Sequence, residues 1–195
     1  MAALLMIAAS CSPAFAADET SKAAVAWDLK QLMSELAQVK TAKSRFVERK
    51  YLSVLKEPLE FSGTLVYAAP GRLEKTTLLP KPESLVVEQN KLTIEREGGR
   101  QRRTLMLQDY PEIWAFVESI RATLAGDLET LNRFYNTSLE GDAEHWQLTL
   151  QPNEPKMLAM VSLIKISGSR NWVDSIETLE ADGDRSLMTV VKDDS

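Results

Sequence analysis

Histidine and cysteine, the side chains best suited to nucleophilic or acid/base work near neutral pH, occur once each, as His145 and Cys11. His145 stands beside Trp146 in a segment with strand-like alternation, and no serine carries the flanking glycines of a nucleophile elbow. Its expected place is a solvent-facing edge strand. No His/Cys/Asp/Glu spacing suits zinc, and Asp182-Gly183-Asp184 reads as a hairpin turn rather than a calcium loop. A glycine-rich phosphate loop is also missing. Among the acidic residues, Glu48, Glu57 and Glu60 lie between lysines in the pattern of a solvated sheet face, so spacing alone makes no acid/base pair of them. The chain is therefore expected to have no catalytic residue, no metal and no cofactor, and not to be an enzyme. Arg96, Arg100, Arg102 and Arg103 surround the Gly98-Gly99 turn and read as a hairpin tip, with a docking patch for an acidic partner or membrane headgroups as the alternative.

What remains is the framework. Leu29, Leu32, Met33, Leu36 and Val39 recur at spacings of three and four, which predicts an amphipathic helix between Val25 and Val39. A strand is expected over 43–55. In FSGTLVYAAPGRLEK and the residue two before it, Leu59, Phe61, Gly63, Leu65 and Tyr67 share one face, while Glu60, Ser62 and Thr64 share the other. Ala69-Pro70-Gly71 predicts a turn in which glycine takes a positive φ. Residues 72–79 return as a strand, Pro80-Lys81-Pro82 breaks it, and a hairpin at Gln89-Asn90 joins Leu85-Val86-Val87 to Leu92-Thr93-Ile94.

At Asp109 the period changes. Asp109 with Glu112 forms a capping-box pattern, Pro111 suits a first turn, and Ile113, Val117, Ile120 and Leu124 make a helical stripe that Gly126 ends. Trp114 and Phe116 add bulk beyond that stripe, either as deeper core or as a plug for the mouth of a curled sheet. Asp127 caps a shorter helix through Leu128 and Leu131. Strands are then expected in FYNTSLEG, in HWQLTLQP with Trp146, Leu148 and Leu150 on one face, around LIKIS and VDSIETLEA, and in SLMTVV after the Asp182-Gly183 turn. Parallel βαβ alternation is absent. The predicted class is α+β: a single curled antiparallel sheet, an incomplete, half-open β-barrel, with helices covering its apolar concave face.

The 195 residues, 44% hydrophobic and 26% charged, suit one globular domain. Residues 1–16 read as a secretory signal peptide: an apolar run too short to span a bilayer, then Ala14-Phe15-Ala16 as the cleavage pattern. The domain is expected over 17–195. Ala8-Ala9-Ser10-Cys11 offers a rival reading as a lipidation site at Cys11. A net charge of −5 makes nucleic acid a poor partner.

Taken together, the signal sequence and leading helix, Phe46-Val47-Glu48, Gly63-Thr64-Leu65 running into Pro70-Gly71-Arg72-Leu73, Pro80 followed by Val86-Val87, Ser175-Ile176-Glu177 and Glu180-Ala181-Asp182-Gly183-Asp184-Arg185-Ser186 make the chain resemble the LolA-like periplasmic outer-membrane lipoprotein carriers. It resembles a divergent branch. Leu73, Glu74 and Lys75 replace an aromatic, an arginine and a tryptophan, and the arginine that ties lid to barrel in that family has no counterpart. The resemblance implies a monomeric periplasmic carrier, a chaperone that holds acyl chains of a lipoprotein or lipid and moves them toward the outer membrane. It also implies partners in an inner-membrane donor and an outer-membrane acceptor. The expected cavity lining is Phe46, Leu59, Phe61, Leu65, Tyr67, Leu73, Leu85, Val87, Leu92, Ile94, Trp114, Val117 and Ile120. The alternative is a non-catalytic envelope protein-interaction module that uses the same sheet.

Overall fold

The computed structural model describes residues 27–193; residues 1–16, expected as a signal peptide, with Cys11 among them, and Val25 lie outside these. Helix α1 (Leu29–Leu36) is shorter than its apolar stripe because Asp28 caps it, accepting from the Gln31 amide at 2.8 Å, and Ala37 closes it, leaving Val39 beyond the helix. Six strands follow: β1 (Thr41–Tyr51), β2 (Leu59–Ala68), β3 (Arg72–Leu79), β4 (Glu83–Glu88), β5 (Lys91–Arg96) and β6 (Gln101–Met106). Helices α2 (Pro111–Ala125) and α3 (Leu128–Phe134) interrupt the strands. Then come β7 (Tyr135–Gly141), β8 (Trp146–Pro152), the single turn α4 (Pro155–Leu158), β9 (Val161–Ser169), β10 (Trp172–Glu180) and β11 (Arg185–Lys192).

All eleven strands form one antiparallel sheet in the order β6-β5-β4-β3-β2-β1-β11-β10-β9-β8-β7. β6 and β7 are its two edges and do not pair with each other, so the barrel is open. The chain that links those edges is α2 and α3, which lie against the inner face. Along β1 and β2 the inward residues are Ser44, Phe46 and Glu48, and Phe61, Gly63, Leu65 and Tyr67, as their cross-strand pairing requires. On the other half of the sheet Trp146, Leu148, Leu150, Ile164 and Ile166 point inward and are buried.

Several local expectations change. Tyr110, not Asp109, is the N-cap of α2 and provides no side-chain cap; Asp109 belongs to a preceding 3₁₀ turn that already consumes the chain reversal. Pro111 does occupy the first turn, and Gly126 ends the helix at φ 69°. Asp127 caps α3 through the Thr130 amide at 3.0 Å. Gly71 has no positive φ; it lies against the Arg121 guanidinium, the movable end of a flexible side chain. In the next hairpin Gln89 takes the left-handed conformation instead, at φ 52°. His145 lies in the turn before β8 rather than in a strand, because Asp142 Oδ1 accepts from the backbone amides of Glu144 and His145.

Gly63 is where β2 and β3 come closest. A methyl group at this position would sit 1.9 Å from the Thr76 carbonyl oxygen, beside a register shift between Ser62 and Gly63. Gly63→Ala is expected to force the two strands apart and to lower stability by about 2–3 kcal/mol, read from urea unfolding midpoints at constant slope.

Candidate functional site

The concave face holds two separate apolar bodies. The larger joins Leu32, Met33 and Leu36 of α1 and Leu131 and Phe134 of α3 to Trp146, Leu148, Leu150, Ile164 and Ile166 of the sheet. The smaller gathers Val87, Leu92 and Leu107 with Leu73, Leu85, Ile94, Trp114 and Val117. Trp114 touches both and meets the Phe134 ring edge-on, with centroids 5.0 Å apart. α2 is apolar over more than one stripe because it lies between sheet and helices, and its buried Ser119 and Thr123 hydroxyls donate back to the carbonyls of Phe116 and Ser119.

Of the residues expected to line a cavity, Leu73, Leu85, Val87, Leu92, Ile94, Trp114 and Val117 come together in the smaller body. Ile120 packs against the larger one. Phe46 and Tyr67 are buried on the central strands, and Phe61 and Leu65 are half-buried beside them. Leu59 is 42% exposed at the end of β2 and stands apart from both bodies. Between the bodies, over β1, β2 and β11, lies an inward-facing strip on which Phe61, Leu65, Met188 and Val190 remain half-buried and belong to neither. Two clefts, of about 130 and 370 Å³, open on the opposite, convex face, around Lys165 and Glu177 and around Arg45 and Thr64.

The strip is not uniformly apolar. Glu48 faces inward rather than to solvent, contrary to its expected place on a wet face, because it falls in phase with Ser44 and Phe46. Only 7% of its side chain is exposed, and it accepts from Lys75 Nζ at 2.5 Å, with Lys50 Nζ 3.8 Å away. Lys75 lies over the Phe46 ring at 5.0 Å and Lys50 over that of Phe61 at 5.5 Å. Glu57 and Glu60 are exposed as expected. At the hairpin tip, Arg96 pairs with Glu83 and Arg102 with Glu95, while Arg100 and Arg103 are exposed. Glu48 with Lys75, and the β8–β9 half of the trough, were absent from the expected lining. The alternation of HWQLTLQP marks the latter, and the two-residue phase that puts Glu48 with Phe46 and Lys75 with Leu73 marks the face of the former, while their charge points the other way.

An arginine does hold the helix to the sheet, from the helix side. Arg121 of α2 donates from one terminal nitrogen to the Gln89 carbonyl at 3.1 Å and to Glu118 at 2.7 Å, and its guanidinium covers Gly71. Beneath it the Tyr67 phenol is pushed up by burial and drawn partly back by the Arg121 charge. At the other side Tyr135 ties β7 to α2, donating to the Ala115 carbonyl at 3.3 Å. Burial raises its phenol from 10.0 to about 12, against a small opposing effect of Ser119. No group of metal-ligating side chains occurs among the described residues, and no helix there is long and apolar enough to cross a membrane.

The eleven strands and the helices seated on their inner face make an open antiparallel half-barrel. Residues 21–193 match the model of the outer membrane lipoprotein carrier protein LolA-like family, and the chain belongs to that family. Solved structures similar to it include a LolA superfamily protein of Nitrosomonas europaea (8% identity, TM-score 0.45, covering 86% of this chain and 94% of that one). Others are the Pseudomonas aeruginosa MucA/MucB complex (12% identity, TM-score 0.47, 85% of this chain and 56% of that one) and LprF of Mycobacterium bovis (11% identity, TM-score 0.36, 83% and 90%). No curated protein matches the chain.

Two measurements check the helix attachments. Arg121→Ala is expected to cost roughly 1–2 kcal/mol and to speed amide hydrogen exchange in α2 while leaving β9 and β10 unchanged. For Tyr135 the folded-state value lies above the unfolded one, so its contribution is complete below about pH 10 and is lost as pH rises toward about 12. Urea unfolding at pH 8 and pH 11 should therefore show a smaller alkaline loss in Tyr135→Phe than in the wild type.

Proposed function

We propose that the protein is a periplasmic carrier that holds an acyl chain of a lipoprotein or lipid on the concave face and passes it toward the outer membrane. The observation that supports this most is the half-buried strip of Phe61, Leu65, Met188 and Val190 between two packed bodies that α2 bridges through Trp114. Membership of the carrier family points the same way. Signal cleavage after residue 16 would release it to the periplasm as a monomer, working between an inner-membrane donor and an outer-membrane acceptor.

The energetics favour partial burial. Each methylene removed from water contributes about 0.8 kcal/mol, so a fully buried long chain would gain on the order of 12 kcal/mol before ordering costs. A carrier that held its load so tightly would not release it. In this reading α2 is a lid: breaking the Arg121 and Tyr135 bonds and parting Ile113 and Val117 from the smaller apolar body lets it lift, and Trp114, Leu85 and Val87 would meet the incoming chain in their place. No step calls for a catalytic side chain.

The test is uptake of an uncharged apolar dye and its displacement by a long-chain amphiphile. Leu65→Trp fills the strip and is expected to weaken dye binding at least about tenfold, or 1.4 kcal/mol, with the thermal midpoint little changed. Absence of dye uptake by the wild type would favour the protein-interaction module over the carrier.

A further inference from the structure

The strip carries charges that an acyl chain alone does not explain. Lys75 and Lys50 both have Glu48 as their ion-pair partner, and among the described residues neither has a second. Two ammonium groups thus share one carboxylate, leaving a positive charge uncompensated. The Lys75 side chain is 25% exposed, in an inward row between Leu65 and Leu85. Its ammonium crosses toward Glu48 over a position where Gly63 has no side chain, flanked by the rings of Phe46 and, beside Lys50, Phe61. Lys50, the farther of the two from Glu48 and 40% exposed, carries the charge left over and keeps part of its hydration, and a second anion delivered there would pair with it and with Lys75. The half-buried apolar residues Leu65 and Phe61 adjoin the same charges on the inward face of β2.

We infer that the strip binds an amphiphile with an anionic head, a carboxylate or phosphate joined directly to its alkyl chain, the head taken by Lys75 and Lys50 and the chain laid along Phe61 and Leu65. This rests on the carrier reading and narrows its cargo. Glu48 acts as the stand-in anion of the empty protein: it keeps Lys75 in place and competes with the head, so charged cargo is held without being trapped. A neutral head would leave the charge unmatched and gain only the chain's burial.

Displacement of Nile red, an uncharged dye, by oleate, oleyl phosphate and oleyl alcohol below their aggregation concentrations tests this. For the wild type, at least one of the two anions is expected to displace the dye at a concentration about tenfold or more below that of the alcohol, and which one does so identifies the head. Lys75→Met should bring that ratio near one. Because this variant leaves Glu48 without its closest partner, the double variant Lys75→Met/Glu48→Gln, which removes both charges, is measured beside it and should give the same ratio. Glu48→Gln alone should raise the ratio. Equal displacement by all three amphiphiles in the wild type, or an unchanged ratio in both Lys75 variants, overturns the head-group assignment while leaving the carrier reading standing. Dye uptake with no displacement by any amphiphile, or no dye uptake at all, overturns both.

Discussion

An antiparallel sheet of eleven strands with one apolar face cannot end in solvent on that face, and here the covering is supplied by the stretch of chain that joins the two sheet edges. After β6 the polypeptide has to reach β7 on the far side, and it crosses the concavity as α2 and α3. The same connection solves two problems at once: it links the strands at the two ends of the sheet order, and it buries the side chains that twist and curl have turned inward. Most of the remaining architecture follows from that crossing. α1 packs beside the crossing helices, the larger apolar body forms beneath them, and Trp114 reaches from one body to the other.

A helix laid across an open half-barrel meets the sheet at both sides more readily than over the middle. The two bodies are therefore filled by α1–α3 and by the first turns of α2, while the strands at the sheet's centre keep half-buried residues. That centre is also where the polar residues of the concave face collect. Glu48 and Lys75 satisfy one another there, in a setting where an unpaired member of the pair would be strongly unfavourable. Gly63, opposite Phe46 in the register, lets β2 and β3 approach, since any Cβ there would meet the β3 backbone at Thr76 and Thr77. α2 is held by its apolar side chains in both bodies, and two polar ties add to that packing, Arg121 to a turn carbonyl on one side and Tyr135 to Ala115 on the other.

The strands and helices were legible in the chain because each carries a local period. Leu59 through Tyr67 alternate as a half-buried strand must, Ile113 to Leu124 repeat as a helix must, and Gly126, Asp127 and the Asp182-Gly183 pair mark the stops. Errors arose where a residue type serves two purposes. Gly71 takes an ordinary φ beneath the movable Arg121 guanidinium, and Asp109 ends a 3₁₀ turn ahead of the helix that its spacing with Glu112 suggests it caps. The short α4 has a single turn, too little to display a period. His145 shares its neighbour's strand pattern but is captured by the Asp142 turn.

The sequence by itself determined the class and the inward faces of β2 and β8, since these depend on neighbours one to four positions apart. Only the tertiary structure decided that Glu48 faces inward to meet Lys75, that Arg121 reaches the Gln89 turn, and which apolar residues remain half-covered. Those contacts join residues 27 and 32 positions apart, and they follow from sheet register and from the path of the crossing helix. Charge type carries no mark of which face it will occupy. For that reason a glutamate among lysines looks the same on the chain whether it ends in water or at the centre of a trough.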